Sequence, residues 1–203
     1  MGNIDSDGFL KITGRIKEII ITEGGKNIAP IPIESDIKDR LSSVVSQAIV
    51  IGDKRKYLSC LLTLKVDIDP QTNLPTNKLD PVVRQWCKNV LVEQKFGVKE
   101  KDYPVTTTDF IQGPHSIVFQ QCIQNGIDEI NSKAAFRAAE IRKFVVLPNE
   151  FSMATGEFGP TLKLRRHIIV EKYKTEIDQM YQPQGMEESL YEGRISPEVT
   201  IAA

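Results

Sequence analysis

Hydrophobic residues along the chain follow two different spacings, and the first of them predicts β-strands. Five runs rich in Ile, Val, Leu and Phe have the β-branched and aromatic character that suits a pleated, half-buried surface. These runs lie at 9–12, 19–21, 44–51, 58–66 and 141–147. We therefore expect a strand at each, the last one ended by Pro148.

The second spacing places apolar residues three or four positions apart and predicts amphipathic helices. Trp86 lies on one of these apolar stripes, so we expect it in the core, and Asp80-Pro81 has the residue types of a helix cap and first turn. Together the strands and helices predict an α/β domain with a mixed sheet flanked by helices. The four helical segments begin near Pro32, Asp80, Phe119 and Ile169.

Several segments lack both spacings. Residues 67–79 are rich in Pro, Asn, Thr and Asp and predict an exposed insertion, and residues 103–114 predict a second loop. Residues 134–139 either extend the preceding helix, whose Gly126 lowers helix propensity by about 1 kcal/mol, or form a short helix of their own. Residues 182–203, with Pro and Gly among acidic residues, predict a disordered tail.

Composition and charge narrow the class of protein. The 203 residues are 40% hydrophobic and 26% charged, and the formal net charge is −1. A chain of this kind can bury one core and has no broad basic field to attract nucleic acid. No apolar run is long enough to cross a bilayer, although peripheral association with a membrane stays open.

Cysteine and histidine give no sign of a metal site. Cys60, Cys87 and Cys122 are odd in number and widely spaced, which fits neither a zinc pattern nor a disulfide framework. A reducing, cytoplasmic setting is the simplest expectation. His115 and His167 have no nucleophile or metal-ligand set nearby, so we interpret them as structural or surface residues.

Two stretches place cations next to glycine. In the first, Gly14-Arg15-Ile16-Lys17 separates two predicted strands, and Gly24-Gly25-Lys26 follows the second of them. Glycine accepts positive φ and lets a ligand approach the backbone closely. Taken singly, the glycine pair also fits a simple hairpin turn and the cations fit a solvated surface.

The second stretch combines a mobile loop with a cluster of charge. Glycine and proline at 156–160 predict the loop, and Lys163, Arg165 and Arg166 follow it at the start of the last helix. A lysine on a flexible loop that is anchored by a helix can be delivered to a site and withdrawn from it.

In their order, these residues resemble the hinge and small domain of the AMP-forming acyl-CoA synthetases, most closely the long-chain and very-long-chain "bubblegum" branch. The second stretch resembles the branch's Thr-x-Lys-x-Lys/Arg-Arg motif at Thr161 to Arg166, whereas the commoner Pro-Lys-Thr-x-Ser-Gly-Lys form is absent. The first stretch carries the resemblance at Asp7-Gly8, Phe9-Leu10, Thr13-Gly14-Arg15, Lys17-Glu18, Gly24-Gly25-Lys26-Asn27 and Ile33-Glu34.

The resemblance implies roles for the cations in forming an acyl adenylate. Lys163 would be the adenylation lysine, with Arg165 and Arg166 as its nearest competitors. Lys17 would be the pivot of the hinge, and Arg15 would contact the nucleotide.

The resemblance also implies a second state, reached by rotation of the small domain, in which coenzyme A attacks the adenylate. Gly24 and Gly25 would then line the pantetheine tunnel, and Lys26 could contact a phosphate.

Such a chain would be only part of a synthetase. Residues 1–16 would end the linker and hinge strand, 17–181 would form the C-terminal lid domain, and 182–203 the tail. ATP, coenzyme A and Mg²⁺ are implied, with the nucleotide and fatty-acid pockets in an N-terminal adenylation domain upstream of Met1. We expect a long-chain fatty acid–CoA ligase as the whole enzyme and no activity from this chain alone. The alternative is a free-standing module of the same fold that binds coenzyme A or a protein.

Overall fold

A three-stranded mixed sheet forms the centre of the fold in the computed structural model, as the sequence predicts. The structure describes residues 2–4, 8–12, 18–94, 96, 99 and 103–182, so Arg15, Lys17 and the predicted tail from 183 lie outside the described residues. The strands are β1 (Gly2–Ile4), β2 (Leu10–Ile12), β3 (Ile20–Ile21), β4 (Asn27–Ile28), β5 (Val45–Ile51), β6 (Leu58–Leu64), β7 (Val66–Ile68), β8 (Pro75–Leu79) and β9 (Ile141–Val146).

Helices cover both faces of this sheet. The central strand β6 pairs antiparallel with β5 and parallel with β9, which gives the order β5-β6-β9. All seven residues of β6 are buried. The helices are α1 (Pro30–Arg40), α2 (Pro81–Glu93), α3 (Thr107–Gln112), α4 (Ser116–Asn131), α5 (Arg166–Lys172) and α6 (Lys174–Tyr181).

Because neighbouring strand residues point to opposite faces, the sheet divides the apolar residues into two cores. Cys60 and Leu62 of β6 face the first core, which α1 to α4 complete, and Trp86 packs against it as predicted. Leu61 faces the second core, which α5 and α6 complete with Ile169 and Ile177. The last predicted helix is in fact two helices that meet at Tyr173.

Two predicted loops contain regular structure. Residues 67–79 include β8, which pairs with β7 in a hairpin and buries Leu79. Residues 103–114 include α3, whose first turn is closed by a capping box between Thr106 and Asp109. The short side chains that indicated a loop are here satisfying the free N–H groups of a helix terminus.

Gly126, which lowered the helix propensity of its segment, is explained by close packing between α4 and α1. A Cβ atom at this position would lie 2.6 Å from Cδ2 of Leu41, which follows α1. Residues 137–139 form a separate short 3-10 helix, which resolves the two interpretations of this segment.

An ion pair covers part of the outer edge of β5. Arg166 Nη2 donates to Glu34 Oε1 at 2.6 Å, and Arg166 Nη1 donates to the carbonyl of Val50 at 2.9 Å. The N–H of Val50 in turn donates to Glu34 Oε1 at 2.8 Å. The two side chains therefore satisfy both outward backbone groups of Val50 and join α5 to α1 around the edge of the sheet.

Replacing Arg166 should destabilise the domain, whereas replacing its neighbour should not. The side chains of Arg166 and Glu34 are only 24% and 10% exposed, so Arg166→Met leaves a mostly buried carboxylate without its cation. Removing one partner of such a pair costs about 3 kcal/mol. The matched control Arg165→Met removes an exposed cation and should change the free energy of unfolding by less than about 0.5 kcal/mol. Urea unfolding of both variants measures the difference, and equal losses would contradict this account of the edge.

Candidate functional site

The glycine pair lies in the turn of a short hairpin. Strands β3 and β4 pair antiparallel, and the turn is closed by a bond from Gly25 N–H to the carbonyl of Thr22 at 2.8 Å. Gly25 has φ of +72°, which explains why this position holds glycine. Gly24 has no positive φ, and no atom lies within 4 Å of where its Cβ would be. Only one of the two glycines is therefore required by the turn itself, and Lys26 beside them is exposed.

This hairpin is fastened to the basic turn between β5 and β6. Ile21 exchanges bonds with that turn, donating to Asp53 Oδ1 at 3.1 Å and accepting from Lys54 N–H at 2.7 Å. Glu23 N–H donates to the carbonyl of Arg55 at 2.9 Å. The glycine turn and the cations of residues 54–56 thus belong to one rigid corner of the domain.

Lys163 lies on a second hairpin rather than on an irregular loop. A β-bridge joins Phe158 to Leu164, and Gly159 N–H donates to the carbonyl of Lys163 at 2.9 Å. Leu162, at the tip, has φ of +55° and is 68% exposed. The Lys163 side chain is exposed, and within the described part of the chain its ammonium group makes no ion pair. We call residues 157–165 the lysine hairpin.

Arg165 and Arg166, the alternative candidates for the role of Lys163, have different surroundings from Lys163 and from each other. Arg166 is held by Glu34 and Val50 at the edge of β5, so its guanidinium is committed to the fold. Arg165 is exposed, and its N–H donates to the carbonyl of Glu157 at 2.7 Å, which closes the lysine hairpin. Lys163 is therefore the cation nearest the tip of the hairpin, and Arg165 lies at its base.

Sequence reasoning missed a buried carboxylate at the base of this hairpin. Glu157 is fully buried, and its Oε1 accepts a bond from Lys172 Nζ at 2.5 Å. Burial alone raises the pKa of Glu157, but hydrogen bonds from Lys172 and Thr155 and from backbone N–H groups outweigh it, so the pKa is lowered. The position of a glutamate between two glycines in a polar loop gave no signal of burial. Its only sequence cue was a lysine fifteen residues later on the predicted helix.

A basic groove is lined in part by Lys56 of the turn at 54–56. It has a volume of about 710 Å³, and its cations are Lys56, Arg137, Arg142 and Lys143. Arg142 pairs with Glu140 at 2.8 Å, whereas no ion pair holds the other three within the described residues. Tyr57 and Tyr181, with ring centroids 4.9 Å apart, also line it.

The remaining candidates are the two histidines and the cysteines, and His167 is exposed. His115 precedes α4 and lies 5.8 Å from the ring of Phe96. Burial raises the pKa of Cys87 to about 12, so its thiol stays protonated at neutral pH.

The described residues contain no group of three or more His, Cys, Asp or Glu side chains that could hold a metal ion. None of their helices is both long and apolar enough to cross a membrane.

The chain matches known proteins in sequence. Residues 17–95 match the family model described as the AMP-binding enzyme C-terminal domain. The long-chain-fatty-acid–CoA ligase ACSBG1 of Mus musculus is 45% identical over 91% of this chain, and ACSBG1 of Homo sapiens is 43% identical over 91%. ACSBG2 of Mus musculus is 42% identical over 89%. The chain spans only about a quarter of these relatives, 24%, 24% and 25% of their lengths.

Solved structures agree on the fold. The adenylation domain of a carboxylate reductase from Mycobacterium chelonae has a TM-score of 0.55 at 18% identity and is matched over 88% of this chain and 24% of its own. The A domain of a carboxylic acid reductase from Segniliparus rugosus, in complex with AMP and a co-purified carboxylic acid, has a TM-score of 0.52 at 14% identity, with the same coverage. The chain is thus a small mixed α/β domain whose residues 17–95 match the AMP-binding enzyme C-terminal domain, and over 91% of its length it is similar to part of a long-chain-fatty-acid–CoA ligase.

Proposed function

We propose that this chain is the mobile C-terminal domain of an ATP-dependent long-chain fatty acid–CoA ligase. The observation that carries the proposal is the lysine hairpin, which presents Lys163 to solvent without an ion-pair partner among the residues that the structure describes, while the neighbouring Arg166 is locked into the fold. An exposed cation on an anchored hairpin is suited to entering the active site of another domain. Its relatives, the long-chain-fatty-acid–CoA ligases, support the class of reaction.

Lys163 would act in the first half-reaction, in which a fatty acid carboxylate attacks the α-phosphorus of ATP. This step brings two anions together and builds negative charge as pyrophosphate leaves. A lysine ammonium is a compact charge that can contact the carboxylate and the phosphate at once, so it stabilises the transition state electrostatically. ATP and Mg²⁺ would be held by an N-terminal adenylation domain, which also supplies the fatty-acid pocket.

The second half-reaction would use a different face of the same domain. We propose Lys17 as the pivot and Arg15 as a nucleotide contact, both within the boundary between residues 1–16 and the lid at 17–181. Rotation about that hinge would bring Gly24, Gly25 and Lys26 to the site that Lys163 leaves. The open space at Gly24 suits a tunnel wall for the pantetheine arm of coenzyme A.

Replacing Lys163 should slow adenylate formation selectively. The test uses a chimera in which this chain replaces the matching region of the Mus musculus ligase ACSBG1. In that chimera, Lys163→Ala should lower the rate of fatty acyl adenylate formation roughly 100-fold, as expected for loss of one transition-state donor. Thioester formation from added acyl adenylate should be unchanged, and Lys38→Ala serves as a control on α1. Acyl-CoA synthesis by the 203-residue chain alone would contradict the proposal.

Replacing Gly24 should affect the other half-reaction. Gly24→Leu puts a side chain into open space without backbone strain, so the free energy of unfolding should change by less than about 0.5 kcal/mol. In the same chimera, thioester formation from added adenylate should fall at least tenfold while adenylation is retained. Stopped assays of each half-reaction measure the split. A normal rate of thioester formation in Gly24→Leu would mean that Gly24 does not line the pantetheine tunnel.

The basic groove favours a second candidate, a module that binds coenzyme A by itself. Three cations without an ion-pair partner among the described residues lie around a pair of stacked tyrosines, which suits a ligand that carries several phosphates. The double variant Arg137→Gln/Lys143→Gln should then weaken binding of coenzyme A to the 203-residue chain at least tenfold, since each charge-assisted hydrogen bond is worth about 1.5–3 kcal/mol. Calorimetric titration measures the affinity, with Lys78→Gln as the control. Equal affinities in both variants would exclude the groove.

A further inference from the structure

The carboxylate of Glu157 is the centre of a closed hydrogen-bond network. Its Oε1 accepts bonds from Lys172 Nζ at 2.5 Å and from the Tyr173 hydroxyl at 3.3 Å. Its Oε2 accepts a short bond from the Thr155 hydroxyl and one from Ser152 N–H at 3.3 Å. Both oxygens of a fully buried carboxylate are thus satisfied, and an ion pair balances the charge.

This network fixes the base of the lysine hairpin to the helix that follows it. The backbone carbonyl of Glu157 accepts from Arg165 N–H at 2.7 Å, so residue 157 belongs to the hairpin itself. Lys172 is the last residue of α5, which Ile169 anchors in the second core. Through one side chain, the hairpin is therefore tied to a rigid element at the end opposite its tip.

The two strands of the hairpin make limited apolar contact with the core. Phe158 and Leu164, which form its single β-bridge, are only partly buried against the second core. The tip at Leu162 is exposed. A two-stranded hairpin of this length is marginally stable by itself in water, so its anchor determines how well Lys163 is held.

We propose that Glu157 is a positioning residue, which through its ion pair with Lys172 holds the lysine hairpin in the geometry that presents Lys163. Its effect on adenylation rests on the proposed function, whereas its effect on the order of the hairpin does not. Adenylation needs Lys163 placed to within a fraction of an ångström of the reacting groups, and thioester formation does not use Lys163.

The anchor has a defined pH dependence. Because the pKa of Glu157 is lowered, its contribution is complete above the ordinary value of 4.5 and is lost as the pH falls through the lowered value. Among the described residues, the titratable groups that face it are Lys172 and Tyr173 from the α5 side and Glu150 from the segment after β9. Burial raises the pKa of Glu150, so that residue takes up its proton first and removes a repulsion without releasing Glu157.

The first test follows the amide protons of Gly159 and Arg165, which close the hairpin, by hydrogen exchange in the 203-residue chain. Glu157→Gln should accelerate their exchange at least tenfold, while amides of Ile49 and Leu61 in the central sheet keep the wild-type rate. The control Glu129→Gln removes a carboxylate that pairs with Arg40 on an exposed surface and should change neither set.

A second variant and a pH series complete the exchange experiment. Lys172→Met should reproduce the acceleration, and the double variant should add little to it, because both changes break the same pair. Below about pH 4.5, exchange corrected for its intrinsic rate should rise in the wild type and stay flat in Glu157→Gln. Wild-type exchange at Gly159 and Arg165 in both single variants would overturn the proposal.

The second test measures the two half-reactions in the chimera. Glu157→Gln should lower adenylation about tenfold and leave thioester formation from added adenylate unchanged, with Glu129→Gln equal to the wild type. Equal losses in both half-reactions would mean that Glu157 acts only on stability and would overturn the positioning role. If Lys163→Ala keeps full adenylation, the proposed function fails instead, and the exchange experiment still decides whether Glu157 anchors the hairpin.

Discussion

Burial of β6 on both faces is the constraint on which the other elements depend. A strand with no exposed residue needs apolar partners on each side, and the chain supplies them from different regions. Helices α1 to α4 fill the first core, and α5 and α6 fill the second. The crossover between β6 and β9, which contains α2 to α4, is long enough for these two strands to pair in parallel.

The cations near the lysine hairpin differ in whether a carboxylate of the domain binds them. Arg166 and Lys172 are both cations near the lysine hairpin, yet each has a carboxylate and a structural role. In the part of the chain that the structure describes, Lys163 has no carboxylate partner, although it lies between these cations and Glu157 along the chain. A cation that the fold leaves unneutralised can give its full charge to an incoming anion, whereas a paired one would first have to lose its partner.

The sequence was sufficient to predict those strands and helices whose signals lie within the element itself. Periodicity located the sheet strands and the long helices, and the motif order indicated the family. The hairpin of β7 and β8 and helix α3 were predicted as loops, because their polar residues are satisfied by pairing and capping that a composition cannot show. Glu157 was missed for a related reason. Its burial depends on Lys172 and Tyr173, which lie a hairpin and a helix away. The locked state of Arg166 likewise depends on Glu34, 132 positions earlier.

The pairing of Arg166 and Glu34 with Val50 has a consequence for how the domain behaves among other proteins. An open strand edge is a template on which another chain can add a strand, and such additions lead to aggregation or domain swapping. Here two side chains take up the outward N–H and C=O of Val50 and occupy the place of a neighbouring strand. The edge is thereby closed to further β-pairing at Val50, the last residue but one of β5.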